Sequence, residues 1–217
     1  MPADRSEQST VAHDAMAVLG DLGAATLGES GGQPMRARVR AVWRGARLVA
    51  PAFPVRCSPG DNLPLHVAVA RAPEGSALAV DVGGEEEFGY WGEVLTTAAE
   101  ARGVRGLVID GGVRDTAALE AHGFPVFATT TALPGATKRR PGDVGAPADV
   151  GGVRVAPGDW LVGDADGVVV VSHRVLDDVI AAGRARQDKE RRLFEDLRRG
   201  RTTLELLDLD PSAVEAG

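Results

Sequence analysis

The sequence is poor in the residues that build disulfide frameworks and membrane spans. Its 217 residues include one cysteine, Cys57, which excludes an internal disulfide and is predicted to be a buried thiol in a reducing compartment. No apolar run approaches the roughly 18 residues that cross a bilayer, and the N-terminus lacks the apolar core of a signal peptide. We therefore expect a cytoplasmic protein with no membrane partner.

Basic residues are also in the minority. The chain has 24 Lys and Arg against 31 Asp and Glu, a formal net charge of −7, so its summed field would repel a phosphate backbone. Nucleic acid is therefore not expected as a partner. The only lysines are Lys138 and Lys189, and neither lies in an apolar run whose burial would lower its pKa, which argues against catalysis through a lysine Schiff base.

What the chain does contain is a series of short β-branched runs separated by glycine- and proline-containing turns. These runs predict strands at 37–43, 47–57, 77–82, 106–110, 125–128, 153–155, 160–162 and 167–172. Apolar residues at helical spacing predict helices at 10–22, 62–71, 92–102 and 175–199. Residues 1–8 are polar and expected to be disordered. Because the chain shows no linker and no repeat, we predict a single α/β domain over 1–217 with a partly parallel sheet.

One segment, 92–115, carries most of the functional information. Glu93 opens a predicted helix, and 110–115 is predicted to be the turn at the carboxyl end of a buried strand, where α/β folds place their ligands. Arg114 offers a bidentate fork to a carboxylate, and free N–H groups at the helix start favour the same anion. Asp115 and Glu93 remain as oxygen ligands for Mg²⁺, directly or through its waters. The segment is interpreted as an active site, the alternative being an ordinary solvated salt bridge.

The same residues resemble a known family. The run Gly89-Tyr90-Trp91-Gly92-Glu93, an alanine-rich helical stretch and the sequence from Arg102 to Asp115 resemble the family that contains 4-hydroxy-4-methyl-2-oxoglutarate aldolase and the regulator of ribonuclease E activity. Twenty residues separate Glu93 from Arg114. Further family landmarks follow in order at 59–62, 123–128, 157–159 and 163–168. The resemblance covers roughly residues 24–200.

The resemblance implies a fold, an assembly and a reaction. The fold is an αββα sandwich of the swivelling type, assembled as a homotrimer or as a hexamer of two trimers with active sites between subunits. The reaction is that of a class II pyruvate aldolase, which requires Mg²⁺ or Mn²⁺, cleaves 4-hydroxy-2-oxo acids of the 4-hydroxy-4-methyl-2-oxoglutarate type and decarboxylates oxaloacetate. Both reactions leave a pyruvate enolate, whose charge a chelated divalent ion stabilises. The expected partner is therefore a small 2-oxo acid.

The resemblance also implies roles for the residues that match the family's motif. Arg114 would bind the pyruvyl carboxylate, Asp115 would hold the metal, and Glu93 would orient a metal-bound water. The same carboxylate would accept hydrogen bonds from the backbone amides of Gly92, Glu93, Val94 and Leu95. From the neighbouring subunit, Glu190 would reach the metal shell through water and Glu29 would assist proton transfer.

Two departures from the family pattern keep a second function open. Glu93 stands where many members have aspartate, so its carboxylate extends one methylene further. Asp115 is followed by Thr116, Ala117 and Ala118, whereas many aldolases of the family have an acidic residue three places after the metal aspartate. The alternative is a non-catalytic oligomeric regulator that binds and inhibits a ribonuclease, since the two branches share one fold.

The remaining polar motifs are predicted to be structural. The four histidines lack metal-ligand spacing and are interpreted as structural or surface residues: His13, His66, His122 and His173. His66 follows Asn62 closely enough to lie near the site. The basic run 138–140 is interpreted as a solvated turn that could attract an anionic substrate. The run 164–167 lacks the glutamate of a calcium loop and predicts a turn into a buried strand.

Overall fold

The computed structural model describes residues 5–215, in which helices surround a curled β-sheet. The helices are α1 Arg5–Gly28, α2 Leu63–Arg71, α3 Glu93–Glu100, α4 Thr116–His122, α5 Leu176–Arg198, α6 Thr203–Leu206 and α7 Ser212–Glu215. The strands are β1 Gln33–Pro34, β2 Arg40–Ala41, β3 Leu48–Arg56, β4 Ala77–Asp81, β5 Leu107–Val113, β6 Val126–Thr131, β7 Asp143–Val144, β8 Ala148–Val150, β9 Val153–Val155, β10 Trp160–Gly163 and β11 Val168–Val171. A short 3-10 turn, His173–Val175, leads into α5.

The sheet has a parallel half and an antiparallel half. Its strand order is β1-β11-β10-β3-β4-β5-β6-β2, with β7 beside β3. The neighbours β3, β4, β5 and β6 are parallel, and the crossovers between them contain α2, α3 and α4 in turn. Strands β10 and β11 are antiparallel to their neighbours, and β8 pairs with β9 in a separate hairpin. The parallel half thus consists of the βα units that the sequence predicts.

The distribution of apolar side chains explains why this sheet curls. Alternate residues of a strand point to opposite faces, so each strand contributes to two cores. Helices α2 and α3 cover one face of the parallel strands, where Leu65 and Ile109 are fully buried. The other face encloses a second core in which Phe127 of β6 and Val170 of β11 belong to the same cluster, although many strands separate them in the sheet. Only a curled sheet brings those strands to one core.

A third core completes the layers. Helices α1 and α5 cover the outer face of β10 and β11, where Leu19, Trp160 and Val179 are buried together. The succession is therefore helix, sheet, sheet, helix, which confirms the αββα prediction. Cys57 is buried as predicted, and burial is the main cause that raises the pKa of its thiol to about 12. No helix within residues 5–215 combines the length and apolar character needed to cross a bilayer.

One predicted strand and the first predicted helix differ from those observed, in addition to the end of β5 described below. The predicted strand 37–43 is reduced to the two residues of β2, because local turns close on either side of it, from Val39 N to Arg36 O at 2.9 Å and from Ala46 N to Trp43 O at 3.4 Å. Helix α1 begins before and ends after the predicted 10–22, with a kink at Gly23.

The kink in α1 depends on a distant carboxylate. Gly23 takes φ 74°, which favours glycine, and Ala24 N then donates to Asp164 Oδ2 at 2.8 Å, so Asp164 restarts the helix. Of the residues expected to be disordered, 5–8 belong to α1 and 1–4 lie outside the described residues.

Candidate active site

The candidate site lies at the carboxyl end of the parallel strands, beside the end of β5. The chain that leads into α3 runs next to that end, because Trp91 forms a parallel bridge with Val113 and Arg114 N donates to Trp91 O at 2.9 Å. This pairing brings the start of α3 to the residues that follow β5. Gly92 and Asp115, 23 positions apart in sequence, are therefore in contact.

The end of β5 corrects one prediction. The run 110–115 was expected to be a turn, but β5 continues through Val113, with a register shift against β6 between Ile109 and Gly112. The strand can continue here because both residues are glycine. A β-carbon on Gly111 would lie 2.7 Å from Val82 Cγ2, and one on Gly112 would lie 2.5 Å from Glu86 O, so a larger residue would clash at either position. The glycine pair thus allows close packing against residues 82–88, and the turn itself is limited to Arg114 and Asp115.

Two further glycines lie directly behind the Arg-Asp pair. A β-carbon on Gly89 would lie 3.0 Å from Arg114 Cδ and 2.6 Å from Ala132 O. A β-carbon on Gly92 would overlap Asp115 Oδ2 and lie 3.1 Å from Arg114 Cγ. The backbone of this segment therefore forms the wall against which both functional side chains rest.

Asp115 occupies an unusual backbone conformation. Its φ of 57° and ψ of 35° are left-handed, which costs a non-glycine residue about 1–2 kcal/mol. Its Oδ2 accepts a hydrogen bond from Glu93 N at 3.1 Å and lies 3.7 Å from Arg114 Nε. The side chains of Arg114 and Asp115 are 44% and 41% exposed, so both are open to a ligand. A strained residue with an accessible carboxylate is typical of a functional site.

The start of α3 supplies backbone donors next to this carboxylate. Thr96 N is bonded back to Gly92 O at 3.1 Å, and Glu93 N is taken by Asp115. The N–H groups of Val94 and Leu95 lie between these two bonds and precede the first regular turn. They are therefore the donors that an anion at this helix end would find.

A cavity of about 200 Å³ opens beside these groups. Its inner wall contains Tyr90 and Trp91, both fully buried. Trp91 stacks on Phe124 with ring centroids 6.0 Å apart, and its Nε1 donates to Thr96 Oγ1 at 2.7 Å. The Tyr90 hydroxyl donates to Glu85 O at 2.7 Å. These contacts hold the wall rigidly. A volume of this size suits a small acid of a few carbon atoms.

Two buried polar atoms of the cavity wall have no hydrogen-bond partner. They are Asn62 Oδ1 and His66 Nε2. The amide nitrogen of Asn62 donates to Tyr90 O at 2.8 Å, which fixes the side chain and leaves its oxygen free. Burial, with a smaller contribution from the charge of Lys138, lowers the pKa of His66. Because a buried polar group without a partner is costly, a ligand or water in this cavity would stabilise both atoms.

Lys138 lines the same cavity and is held there by Asp61. Asp61 is fully buried, and its Oδ2 accepts hydrogen bonds from Thr137 Oγ1 at 2.7 Å and from Arg139 N at 2.6 Å, on either side of Lys138. Burial opposes its charge, but these hydrogen bonds and one from Leu63 N outweigh burial and lower the pKa of Asp61 to about 2. The basic turn is therefore an anchored part of the cavity wall.

Glu93 is turned away from the cavity. The residues on either side of it line the cavity wall, whereas its own carboxylate Oε1 lies 3.7 Å from Nε2 of His122, at the end of α4. The other ring nitrogen, His122 Nδ1, lies 2.8 Å from Glu100 Oε2 on α3. His122, expected to be a structural or surface residue, therefore stands between two carboxylates.

The carboxylates of Glu29 and Glu190 meet at a different place. Arg186 bridges them, with an ion pair to Glu29 and a contact from its Nε to Glu190 Oε1 of 2.8 Å. All three side chains line a cavity of about 510 Å³ between α1, β1 and α5. Within one chain, Glu29 and Glu190 do not line the cavity of Arg114 and Asp115.

The donor set fits a hydrated hard cation better than a fully coordinated one. Among the side chains that the structure describes, no group of three or more His, Cys, Asp or Glu is arranged to hold a metal ion. Mg²⁺ keeps several waters and is commonly bound through one or two carboxylates plus oxygen atoms of the substrate. Asp115, with one oxygen bonded to Glu93 N and the carboxylate half-exposed, meets that requirement.

The fold and this cavity define a class of protein, an αββα protein with a small cavity at the carboxyl end of its parallel strands. The family model for RraA-like proteins, described as Aldolase/RraA, matches residues 10–170. The chain therefore belongs to the Aldolase/RraA family.

Individual relatives agree with the family assignment. A Halalkalibacterium halodurans protein provisionally named 4-hydroxy-4-methyl-2-oxoglutarate aldolase is 33% identical over 141 residues, 65% of this chain and 67% of the relative. The structure of an uncharacterized protein from Pseudomonas syringae pv. tomato is 28% identical, with a TM-score of 0.79 over 88% of this chain and 91% of that one. The structure of the RNA-processing inhibitor RraA from Thermus thermophilis is 28% identical, with a TM-score of 0.60 over 65% and 85%.

Sequence reasoning missed several residues of the site. It took Lys138 to be part of a solvated turn, yet Lys138 lines the cavity. It did not predict α4, so it could not place His122 beside Glu93. A signal was present for α4, because the run 116–122 is rich in alanine and leucine and is followed by Gly123, which takes φ 68° as a left-handed helix end.

Proposed function

We propose that the protein is a divalent-metal-dependent lyase that releases pyruvate from 4-hydroxy-2-oxo acids of the 4-hydroxy-4-methyl-2-oxoglutarate type and decarboxylates oxaloacetate. The observation that carries the proposal is the juxtaposition of Arg114, the strained Asp115 and the start of α3 at the edge of one small cavity. The family assignment and the aldolase-named relative support it.

Arg114 and the start of α3 would bind the 2-oxo acid group. The planar guanidinium of Arg114 can hold a carboxylate through two parallel hydrogen bonds, and the N–H groups of Val94 and Leu95 can donate to the same anion. Gly89 and Gly92 let the arginine lie flat against the backbone. The substrate would thus be fixed with its 2-oxo group toward Asp115.

Asp115 would hold Mg²⁺ or Mn²⁺, and Glu93 would act on the cation through water. When bound, such a cation supplies Lewis acidity that stabilises the negative charge of the enolate left by C–C cleavage or decarboxylation. Asp115 is suited to this role because its carboxylate is oriented by Glu93 N and remains 41% exposed, with a contact to Arg114 Nε that at 3.7 Å is too long for a hydrogen bond.

The distal half of the substrate would meet Lys138, His66 and Asn62. Lys138 offers a positive charge, and the two unpaired atoms, Asn62 Oδ1 and His66 Nε2, offer polar contacts on the same wall. A second carboxylate fits the charge of Lys138 and can accept from an Nε2–H of His66, and a hydroxyl group can donate to Asn62 Oδ1, which only accepts, whereas an apolar group would leave both atoms unpaired. This complementarity supports a dicarboxylic substrate.

We also propose that the active protein is a homotrimer or hexamer. Glu29 and Glu190 carry carboxylates that pair with Arg186 and lie outside the cavity of Arg114 and Asp115 in their own chain. In an oligomer these carboxylates would complete a neighbour's site. Light scattering should show a trimer or hexamer, whereas a fully active 22.5 kDa monomer would exclude this arrangement.

The second candidate is a regulator that binds and inhibits a ribonuclease. It is favoured by the similarity to the RNA-processing inhibitor RraA, and by the absence of an acidic residue three places after Asp115. This candidate gives no role to the unpaired Asn62 and His66 atoms, which is why we prefer the lyase.

A substrate panel distinguishes the two candidates. Pyruvate release would be measured with Mg²⁺ for oxaloacetate and several 4-hydroxy-2-oxo acids, using wild type and Arg114→Ala, and RNA cleavage by a ribonuclease of the RNase E type would be followed with the same two proteins. The lyase proposal expects pyruvate from wild type and a loss of at least a hundredfold in Arg114→Ala. Ribonuclease inhibition with no pyruvate release from any substrate would favour the regulator.

A further inference from the structure

We infer that Asp61 is a positioning residue that fixes Lys138 in the cavity wall. The fixed ammonium makes the site prefer 2-oxo acids that carry a second carboxylate. The inference rests on the proposed function, because it concerns the half of the substrate that Arg114 and Asp115 do not hold. Asp61 does not line the cavity itself, so it acts through the residue that it positions.

The backbone on either side of Lys138 is tied to residues 60–62. On one side, Thr137 Oγ1 donates to Asp61 Oδ2 at 2.7 Å, and two backbone hydrogen bonds of 2.8 Å join Thr137 to the residues before and after Asp61. On the other side, Arg139 N donates to the same Oδ2 at 2.6 Å. The backbone of Lys138 is therefore held at both ends, and on the Arg139 side Asp61 supplies the contact.

Asp61 also ties this segment to α2. Its carboxylate is fully buried, and its second oxygen, Oδ1, accepts from Leu63 N at 2.9 Å at the start of the helix. Helix α2 carries His66, so one carboxylate fixes Lys138 and His66 relative to each other. A buried charge is costly unless hydrogen bonds satisfy it, and those of Asp61 all come from groups that hold the wall in place. Removing this charge therefore loosens position 138 without removing a group of the cavity wall.

The ammonium of Lys138 is available to an anion. Its Nζ donates to Ala136 O at 3.4 Å, which is a long hydrogen bond to a neutral oxygen. An ammonium carries three donors and forms shorter, stronger hydrogen bonds with a carboxylate. Burial and, to a smaller extent, the charge of Lys138 lower the pKa of His66, so this charge acts on the part of the wall that contains the unpaired His66 Nε2. A carboxylate bound in the cavity would meet the ammonium there.

Two substrates isolate the contact between Lys138 and a second carboxylate. 4-Hydroxy-2-oxoglutarate and 4-hydroxy-2-oxopentanoate share the reacting 2-oxo acid half and differ at C5, which is a carboxylate in the first and a methyl group in the second. The C5 group takes no part in cleavage of the C3–C4 bond, so its contact persists in the transition state and contributes to kcat/KM. Both substrates release pyruvate, so one assay follows both reactions.

The test is the selectivity ratio, defined as kcat/KM for the dicarboxylic substrate divided by kcat/KM for the monocarboxylic one, each measured with Mg²⁺. Comparing each variant with wild type cancels the difference in intrinsic reactivity of the two substrates. Lys138→Met removes the charge and keeps an unbranched apolar stem, and it should lower the ratio about ten- to a hundredfold. Asp61→Asn keeps the ammonium, but a single amide oxygen cannot serve all three donors, so the ratio should fall about three- to tenfold.

The matched control is Asp159→Asn. Asp159 is also a buried aspartate whose oxygens accept backbone hydrogen bonds, from Ala156 N at 2.9 Å and from His173 N at 3.2 Å, but it does not line the cavity or contact its basic turn. Its substitution should leave the selectivity ratio at the wild-type value. An equal fall of the ratio in Asp159→Asn would overturn the inference, because loss of a buried carboxylate anywhere would then suffice.

Two further variants show whether the effect passes through the ammonium. In the Lys138→Met background, Asp61→Asn should lower the selectivity ratio no further. Thr137→Val removes one donor to Asp61 and should lower the ratio in the same direction as Asp61→Asn. It replaces Asp61→Asn if that variant does not fold.

The outcomes separate this inference from the proposed function. If both substrates are cleaved and the selectivity ratio stays at the wild-type value in Asp61→Asn and Thr137→Val, the inference is overturned and the lyase proposal stands. An equal effect of Asp61→Asn with and without Lys138 would also overturn it. If wild type releases pyruvate from neither substrate, both proposals fail.

Discussion

Replacing Gly92 by alanine tests whether the backbone at the start of α3 sets the position of the Arg-Asp pair. The backbone of Gly92 is extended, with φ −168°, so alanine can adopt it and the perturbation is purely steric. The new β-carbon would lie 3.1 Å from Arg114 Cγ, which must retreat by about 0.4 Å to reach a normal carbon–carbon separation of about 3.5 Å. The overlap with Asp115 Oδ2 demands a larger shift.

The expected loss follows from these displacements. A shift of about 1 Å in a catalytic constellation costs about a hundredfold in rate, or about 2.7 kcal/mol of transition-state stabilisation. We expect a 30- to 100-fold lower kcat/KM for pyruvate release, with a loss of unfolding free energy below about 1 kcal/mol because both side chains are half-exposed and can move. The measurements are steady-state kinetics and urea unfolding.

The matched control is Gly20→Ala in α1. A β-carbon there would lie 3.5 Å from Val49 Cγ2, an ordinary contact far from the site. This variant should retain wild-type kinetics. Full activity of Gly92→Ala would refute the steric reasoning, and so would a loss of activity that Gly20→Ala shares.

Three further substitutions test separate parts of the account. Arg114→Lys keeps the charge but loses the planar guanidinium that can form two parallel hydrogen bonds with a carboxylate, so kcat/KM should fall about ten- to a hundredfold. The affinity for Mn²⁺ should stay within about twofold of wild type, and loss of Mn²⁺ binding would contradict the assigned role. Asp115→Gly removes the strain of a left-handed backbone at a non-glycine residue, so the free energy of unfolding should stay within about 1 kcal/mol of wild type. Activity and Mn²⁺ binding should nevertheless collapse, and retained activity would contradict the metal role. Asp61→Asn should lower the free energy of unfolding by about 2 kcal/mol at pH 6, because folding lowers the pKa of the Asp61 carboxyl from 3.8 to about 2 and the charged carboxylate therefore stabilises the folded state. This stabilisation is fully present above pH 3.8 and is lost as the pH falls toward about 2. Urea unfolding at pH 6 and pH 3 should therefore show a smaller difference between wild type and Asp61→Asn at pH 3, and an equal difference would contradict the assignment.

Much of the fold could be predicted because periodicity and turn residues are local signals. The predicted strand 153–155 coincides with β9, and α2 and α5 begin and end within one residue of their predictions. Sequence could not show that β5 passes through Gly111 and Gly112, because these glycines accommodate the close approach of residues 82–88, which is a tertiary contact. The kink of α1 likewise depends on Asp164, 140 residues from Ala24.

The site was predicted only as far as its motif reaches. Arg114, Asp115 and the start of α3 are placed together as the motif indicated, since the spacing of a βα unit determines their meeting. The cavity wall depends on groups from other loops, such as Lys138, whose position is fixed by Asp61 across 77 positions of sequence. The carboxylate of Glu93 lies 3.7 Å from His122, which is on a helix that the sequence analysis did not predict.

The most direct test of the central claim is pyruvate formation from oxaloacetate by EDTA-treated protein before and after addition of Mg²⁺. The account predicts that pyruvate forms no faster than in buffer while EDTA is in excess, that Mg²⁺ restores turnover in wild type, and that it does not do so in Asp115→Asn. Full turnover in excess EDTA, or equal restoration in Asp115→Asn, would contradict the claim that this site is a metal-dependent lyase centre.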